Sequence, residues 1–170
     1  MSLIKKISFK LLILTIFSFN FVQAEDLKKL GKFKDWQVYM ITDEGNKVCF
    51  AQSKPVLQSP KKSDREARLF VTFRPADKII DEVSTTSGYE YNSQNSIIAS
   101  SGKSKYKFDI AQDNSAWISS NKIEKRIIKR MKKASRIMVT GYNQSGSQTI
   151  DHYSLMGFTK AYNAAKESCT

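Results

Sequence analysis

Residues 36–52 read WQVYMITDEGNKVCFAQ, and this stretch decides the fold class. Residues 36–41 and 48–52 are short apolar runs rich in aromatic and β-branched side chains. The six residues between them include Asp43, Gly45 and Asn46, the composition of a hairpin turn. Residues 68–74 repeat the signal, with Leu69, Val71 and Phe73 on one face and Pro75 as the limit. Residues 81–87, 96–99 and 116–118 are weaker strand segments. Tyr106, Phe108 and Ile110 alternate, and residues 136–142 and 148–155 form a second hairpin through a polar turn at 143–147. Short strands with turn signals at this spacing, and no internal repeat, predict a mainly β domain, an antiparallel β-sandwich or barrel-like body. Residues 27–34 read as a basic lead-in, and 53–66, with Pro55, Pro60 and Arg65, as a polar loop.

Two segments leave the pattern. In 119–134, Ile123, Ile127, Ile128 and Met131 recur at helical spacing behind a serine N-cap, which predicts a basic amphipathic helix. A short C-terminal helix is expected over 158–166, burying Phe158, Ala161, Tyr162 and Ala165 and carrying Cys169 back to the domain.

The chain opens with Lys5, Lys6 and Lys10, an apolar run at 11–17 too short to span a bilayer, and Val22-Gln23-Ala24 before Glu25 and Asp26. These are the parts of a cleavable secretory signal over 1–24. Cleavage would leave one domain, 25–170, with no transmembrane span, exported to the periplasm, the outer membrane or the medium. In such a compartment Cys49 and Cys169 have one possible pairing; the alternative is two buried free thiols.

Phe33-Lys-Asp-Trp36-Gln-Val38, Lys47-Val-Cys-Phe-Ala51, Ala116-Trp117, Met131-Lys-Lys133, Thr140-Gly141 and above all Asp151-His-Tyr-Ser-Leu-Met-Gly-Phe158 with Ala161 resemble the invasion-associated locus B family of exported bacterial proteins. The likeness runs from about Phe33 to Cys169, and its most specific piece is Tyr153-Ser-Leu-x-Gly-Phe158. It implies a mainly β envelope protein and an association with host-cell entry, but no set of active-site residues. Many members carry two disulfides, with a cysteine shortly after the tryptophan. Tyr39 and Met40 stand there in this chain, which leaves at most one bond.

Catalytic motifs are scarce. His152 is the single histidine, and its strand neighbour Asp151 is expected on the opposite face. Phosphate-loop, G-x-S-x-G and C-x-x-C patterns are absent, so no cofactor, metal or catalytic residue is assigned. Charge is the positive signal. The 170 residues carry a net +12; without the signal's three lysines 25 basic residues stand against 16 acidic, a net +9. Lys122, Lys125, Arg126, Lys129, Arg130, Lys132, Lys133 and Arg136 against Glu124 concentrate +7 of it in one segment. The leading expectation is a non-enzymatic module whose basic helix contacts anionic envelope lipid, lipopolysaccharide or an acidic protein partner, with nucleic acid disfavoured by export. Its rivals are a merely solvated lysine face, a chaperone-like accessory, and an envelope or extracellular hydrolase with an acidic pair in a deep pocket.

Overall fold

The computed structural model describes residues 27–43, 45–61 and 65–170. The expected signal sequence and its cut lie outside the described residues.

The fold is mainly β, two antiparallel sheets with two helices, as the strand spacing predicted. The larger sheet holds β1 (Lys28–Phe33), β2 (Trp36–Asp43), β3 (Asn46–Ser53), β5 (Arg68–Arg74), β6 (Ile79–Thr86), β9 (Ile110–Gln112) and β10 (Ser115–Trp117), in the order β1-β2-β3-β5-β6-β10-β9. The smaller holds β4 (Leu57–Ser59), β7 (Ile97–Ser101), β8 (Ser104–Phe108), β11 (Arg136–Tyr142) and β12 (Gln148–Ser154), in the order β4-β12-β11-β7-β8. Neither sheet closes on itself, so the architecture is a sandwich and not a barrel. Register aligns Val38, Ala51 and Val71 across β2, β3 and β5, with Val83 next on β6. All four are fully buried and share one core with Ile97, Ala99, Ile137 and Tyr153 of the smaller sheet.

The helices are α1 (Asn121–Met131) and α2 (Phe158–Ser168). The α2 helix buries the four residues expected of it, Phe158, Ala161, Tyr162 and Ala165, and packs across β1, β2, β3 and β5. Its C-cap is Cys169, bonded to Cys49 of β3 across 120 residues of sequence.

Four expectations are corrected. Residues 28–33 form an edge strand, not a lead-in. Its exposed Lys28, Lys29 and Lys32 gave it the composition of a loop, but lysine is a common guard against edge-to-edge association, and Leu30 and Phe33 pack on the core. The polar loop 53–66 contains β4, which pairs with β12. It is held by Arg65, which donates to both carboxylate oxygens of Asp151 at 2.6 and 3.1 Å and to the Ser87 carbonyl at 2.9 Å. Ile110 does not continue the β8 alternation: the chain leaves the smaller sheet at Asp109, and Ile110 opens β9 of the other sheet, 48 % exposed. Finally, α1 is shorter than 119–134. Ser119 donates its hydroxyl and backbone N–H to the Asp109 carboxylate, and the cap position falls to Ser120, whose carbonyl accepts from Ile123 and Glu124 while its side chain makes no cap bond.

Two stability changes are expected. Replacing Cys49 and Cys169 together by alanine should lower unfolding free energy by about 2–5 kcal/mol, the usual result of opening so long a loop, measured by denaturant titration beside the oxidised wild type. Asp151→Ala should cost about 3 kcal/mol in the same assay, because it strips the carboxylate from an arginine whose side chain is 9 % exposed.

Candidate functional site

At about 100° per residue, the α1 sequence sorts into an inner and an outer face. Glu124, Ile127, Ile128 and Met131 are buried, and Ile123 is partly so. Opposite them Lys122, Lys125, Arg126, Lys129 and Lys133 are all exposed, spread over roughly 100° of arc. No carboxylate among the described residues pairs with any of the five. The two remaining candidates sit at the margins and have structural contacts. Arg130 Nε donates to Ser101 Oγ at 3.3 Å, and its guanidinium lies so close to Gly102 that a side chain there would meet it at 2.6 Å. Lys132 Nζ lies 3.6 Å from the centroid of the Tyr162 ring on α2; partial burial pulls its pKa below the usual lysine value. The predicted cluster is therefore five outward cations flanked by two that fasten the helix to the sandwich.

The basic surface extends onto the smaller sheet. In β8 Tyr106 and Phe108 face the core, which leaves Lys105 and Lys107 exposed on the other side of the strand. Both line a groove of about 290 Å³ with Arg126 and Ser120 of the α1 segment and with Asp109, whose carboxylate is taken up by Ser119. Sequence reasoning missed these lysines by following only the apolar half of the alternation; the intervening Lys105 and Lys107 carried the signal.

Beneath the same helix lies chemistry of opposite sign. The β10 strand stops at Trp117, opposite Ser84, and the N–H of Val83, one residue further along β6, finds its acceptor in Oε1 of Glu124 at 2.9 Å. Glu124 is thus a structural plug for a sheet amide, 4 % exposed. Burial first, and then the charges of Glu82, Asp81 and Asp109, push its pKa up to about 6. It borders a half-open cavity of about 380 Å³ whose other walls include Arg74, Glu82, Ile110 and Trp117. Glu82 is held by Arg74 at 2.7 Å. Of the two carboxylates at this cavity, Glu82 is held by a guanidinium, and Glu124 accepts from one backbone amide and keeps further acceptor capacity.

His152 and Asp151 lie on opposite faces of β12, as expected for strand neighbours. Asp151 is buried against Arg65, while His152 is partly exposed and lines a shallow groove with Val56, Leu57 and Arg136. No group of three or more histidine, cysteine, aspartate or glutamate side chains is placed to hold a metal among the described residues.

The raised pKa of Glu124 has a sign that stability can test. Its folded value of about 6 lies above the ordinary glutamate value of 4.5, so the folded state holds the proton more tightly, and stability falls as pH rises through that window. Glu124→Gln keeps an acceptor for Val83 and has no proton to lose. It should gain about 1 kcal/mol over wild type above pH 7 and nothing near pH 4, the gain discounted because the cavity is open to water. Denaturant midpoints at the two pH values measure it.

The segments that carried the family likeness meet in space. The Trp36 indole N–H donates to the Ser154 carbonyl at 2.9 Å, the Trp36 and Phe158 rings meet edge to face at 4.8 Å, and Asp35 N–H donates to the Met156 carbonyl at 3.3 Å. Gly157, at φ +90°, has no room for a side chain: a Cβ there would lie 1.9 Å from the Phe33 carbonyl oxygen. Gly141 is similarly closed, by the Tyr89 hydroxyl at 2.7 Å and the Tyr91 ring at 2.8 Å from the Cβ position. No curated protein and no solved structure gives a significant match to the chain. A family model described as invasion associated locus B (IalB) protein matches residues 36–166, a span that includes both sheets' central strands, α1 and most of α2. The chain belongs to the invasion associated locus B family.

Proposed function

We propose that this protein is an exported, non-enzymatic envelope module that docks on anionic surfaces through the outer face of α1 and the adjoining edge strand β8. Family membership, one disulfide, and the absence among the described residues of a helix long and apolar enough to cross a membrane fit an exported protein. The observation that carries the binding role is the arrangement of Lys122, Lys125, Arg126, Lys129 and Lys133 as one exposed stripe without acidic partners, continued by Lys105 and Lys107. A helix whose cations served only solubility would be expected to intersperse acids among them at i, i+4 spacing. Here the sole acid of α1 is turned inward to the Val83 amide. A rigid cationic face of this kind suits phosphate-rich amphiphiles, the headgroups of anionic lipid or lipopolysaccharide, which an exported protein of a bacterial envelope meets at high density. An acidic protein partner is the competing occupant. The engagement of Glu82 by Arg74 supports a binding role over a hydrolytic one that needs two free carboxylates at this cavity.

Co-sedimentation with phosphatidylglycerol or phosphatidylcholine vesicles at low and high salt tests the proposal. Wild type should pellet with the anionic vesicles alone and be released by salt. Each surface cation is worth about 1 kcal/mol at such a surface, so a variant with Lys122, Lys125, Arg126 and Lys129 changed to glutamine should lose at least about 100-fold in partition. Arg130 and Lys132 are left intact because they anchor the helix. No binding to either vesicle at low salt, or equal binding by the variant, overturns the proposal.

A further inference from the structure

The cavity beside α1 has the size and lining of a small-molecule site, with a buried carboxylate in its wall. About 380 Å³ falls within the range of ligand clefts. Ile79, Ile110, Trp117 and Ile118 give it apolar walls, and Ile110 is 48 % exposed although it belongs to a residue type usually buried. A register shift between β5 and β6 shapes the rim: Asp81 takes φ +70°, its carboxylate accepting from the Tyr162 hydroxyl at 2.5 Å, and Ile80 is left 60 % exposed at the cavity edge.

Glu124 is the buried polar group of this cavity. Val83 N–H is its one hydrogen-bond donor among the described residues, so most of the acceptor capacity of the carboxylate is unused. Asp81, Glu82 and Asp109 all act on it with the same sign. The cations nearby do not answer that charge. Arg74 is shared between Asp77 at 3.4 Å and Glu82 at 2.7 Å, and Lys78 is an exposed residue in a left-handed turn at φ 58°. Two acidic and two basic side chains line the cavity, and of these Glu124 is the buried one, in a wall shared with Trp117.

We propose that the cavity binds a small organic cation, an alkylammonium group whose charge sits at Glu124 and whose carbon body lies against Trp117 and the isoleucines. A charge-assisted hydrogen bond to the remaining acceptor capacity of the carboxylate and the Trp117 side chain in the cavity wall both favour such a head group. The apolar walls favour its chain over a bare inorganic ion. The site is independent of the basic face of α1, which would repel the same ligand.

The probe is butylammonium chloride, with butan-1-ol as its neutral match, titrated into the purified protein and followed by the amide resonances of Val83, Ile118 and Glu124 and the indole of Trp117. Butylammonium should give saturable shifts near pH 7.5 and butan-1-ol none. Glu124→Gln, which retains the acceptor for Val83, should weaken binding at least about 10-fold, and wild type at pH 5, where Glu124 is mostly protonated, should weaken comparably. Lys78→Ala should bind at least as well as wild type. The proposal is overturned by a lack of saturable shifts, by an equal response to butan-1-ol, by undiminished affinity in a folded Glu124→Gln, or by affinity that persists unchanged at pH 5.

Discussion

The joint between the turn before Trp36 and the segment after β12 is the constraint on which the rest of the structure depends. Residues 118 apart in sequence are tied by the indole hydrogen bond to Ser154, and Phe158 begins α2 against the same ring. Gly157 lets the chain pass directly over the Phe33 carbonyl. That close approach sets the angle at which α2 leaves β12, and α2 then covers β1, β2, β3 and β5 and delivers Cys169 to Cys49. Without the joint, the inner face of the larger sheet would lose its helical cover at one end. Hydrophobic burial supplies most of the stabilisation, but it is non-directional; the indole bond and the glycine give it a unique geometry.

A second tether works through charge. The bidentate Arg65–Asp151 pair sits in a nearly dry setting and binds the segment after β4 to the centre of the smaller sheet. Such pairs contribute little net stability, because desolvation opposes their attraction, yet they penalise every arrangement in which either partner is left alone. Gln58 adds a bond at 3.1 Å to the same carboxylate, so β4 is fixed against β12 by a polar network where apolar side chains are few. The exposure of Val56 and Leu57 follows: this edge is held by polar contacts and leaves its aliphatic groups outside.

Most of the fold was legible in the sequence because its signals were local. Alternation identified β5 and β8, the turn composition identified the β2–β3 and β11–β12 hairpins, and helical spacing identified both helices together with the buried face of α2. What escaped were features whose physics is not local. β1 and β4 are edge strands with loop-like compositions, made strands by their partners. Ile110 looked like a third inward residue until the chain changed sheets at Asp109. At the candidate site, the cations of α1 were visible as a cluster, but their division into free and anchoring members depends on Ser101, Gly102 and Tyr162, which lie on other elements. Glu124 was visible only as the lone acid in a basic run. Its burial follows from where β10 ends, and no periodicity in the sequence states that.

The contacts that carry the family likeness are distinct from the charged groups of α1. The segments of strongest likeness, around Trp36 and from Tyr153 to Phe158, place Trp36, Tyr153, Leu155 and Phe158 in the core, where the Trp36 indole is held by the Ser154 carbonyl and the Phe158 ring. The outward cations of α1 and the buried carboxylate of Glu124 lie elsewhere. One helix divides them: its outer face carries cations without acidic partners, and its inner face places a carboxylate in a setting that raises its proton affinity. Because α1 touches β6 through Glu124 and the smaller sheet through Arg130, a change in charge on either face acts on a helix that is fastened at both sides. A helix fastened in this way holds its cations on a backbone that is already ordered, so the ordering cost of any contact made there falls on the side chains alone.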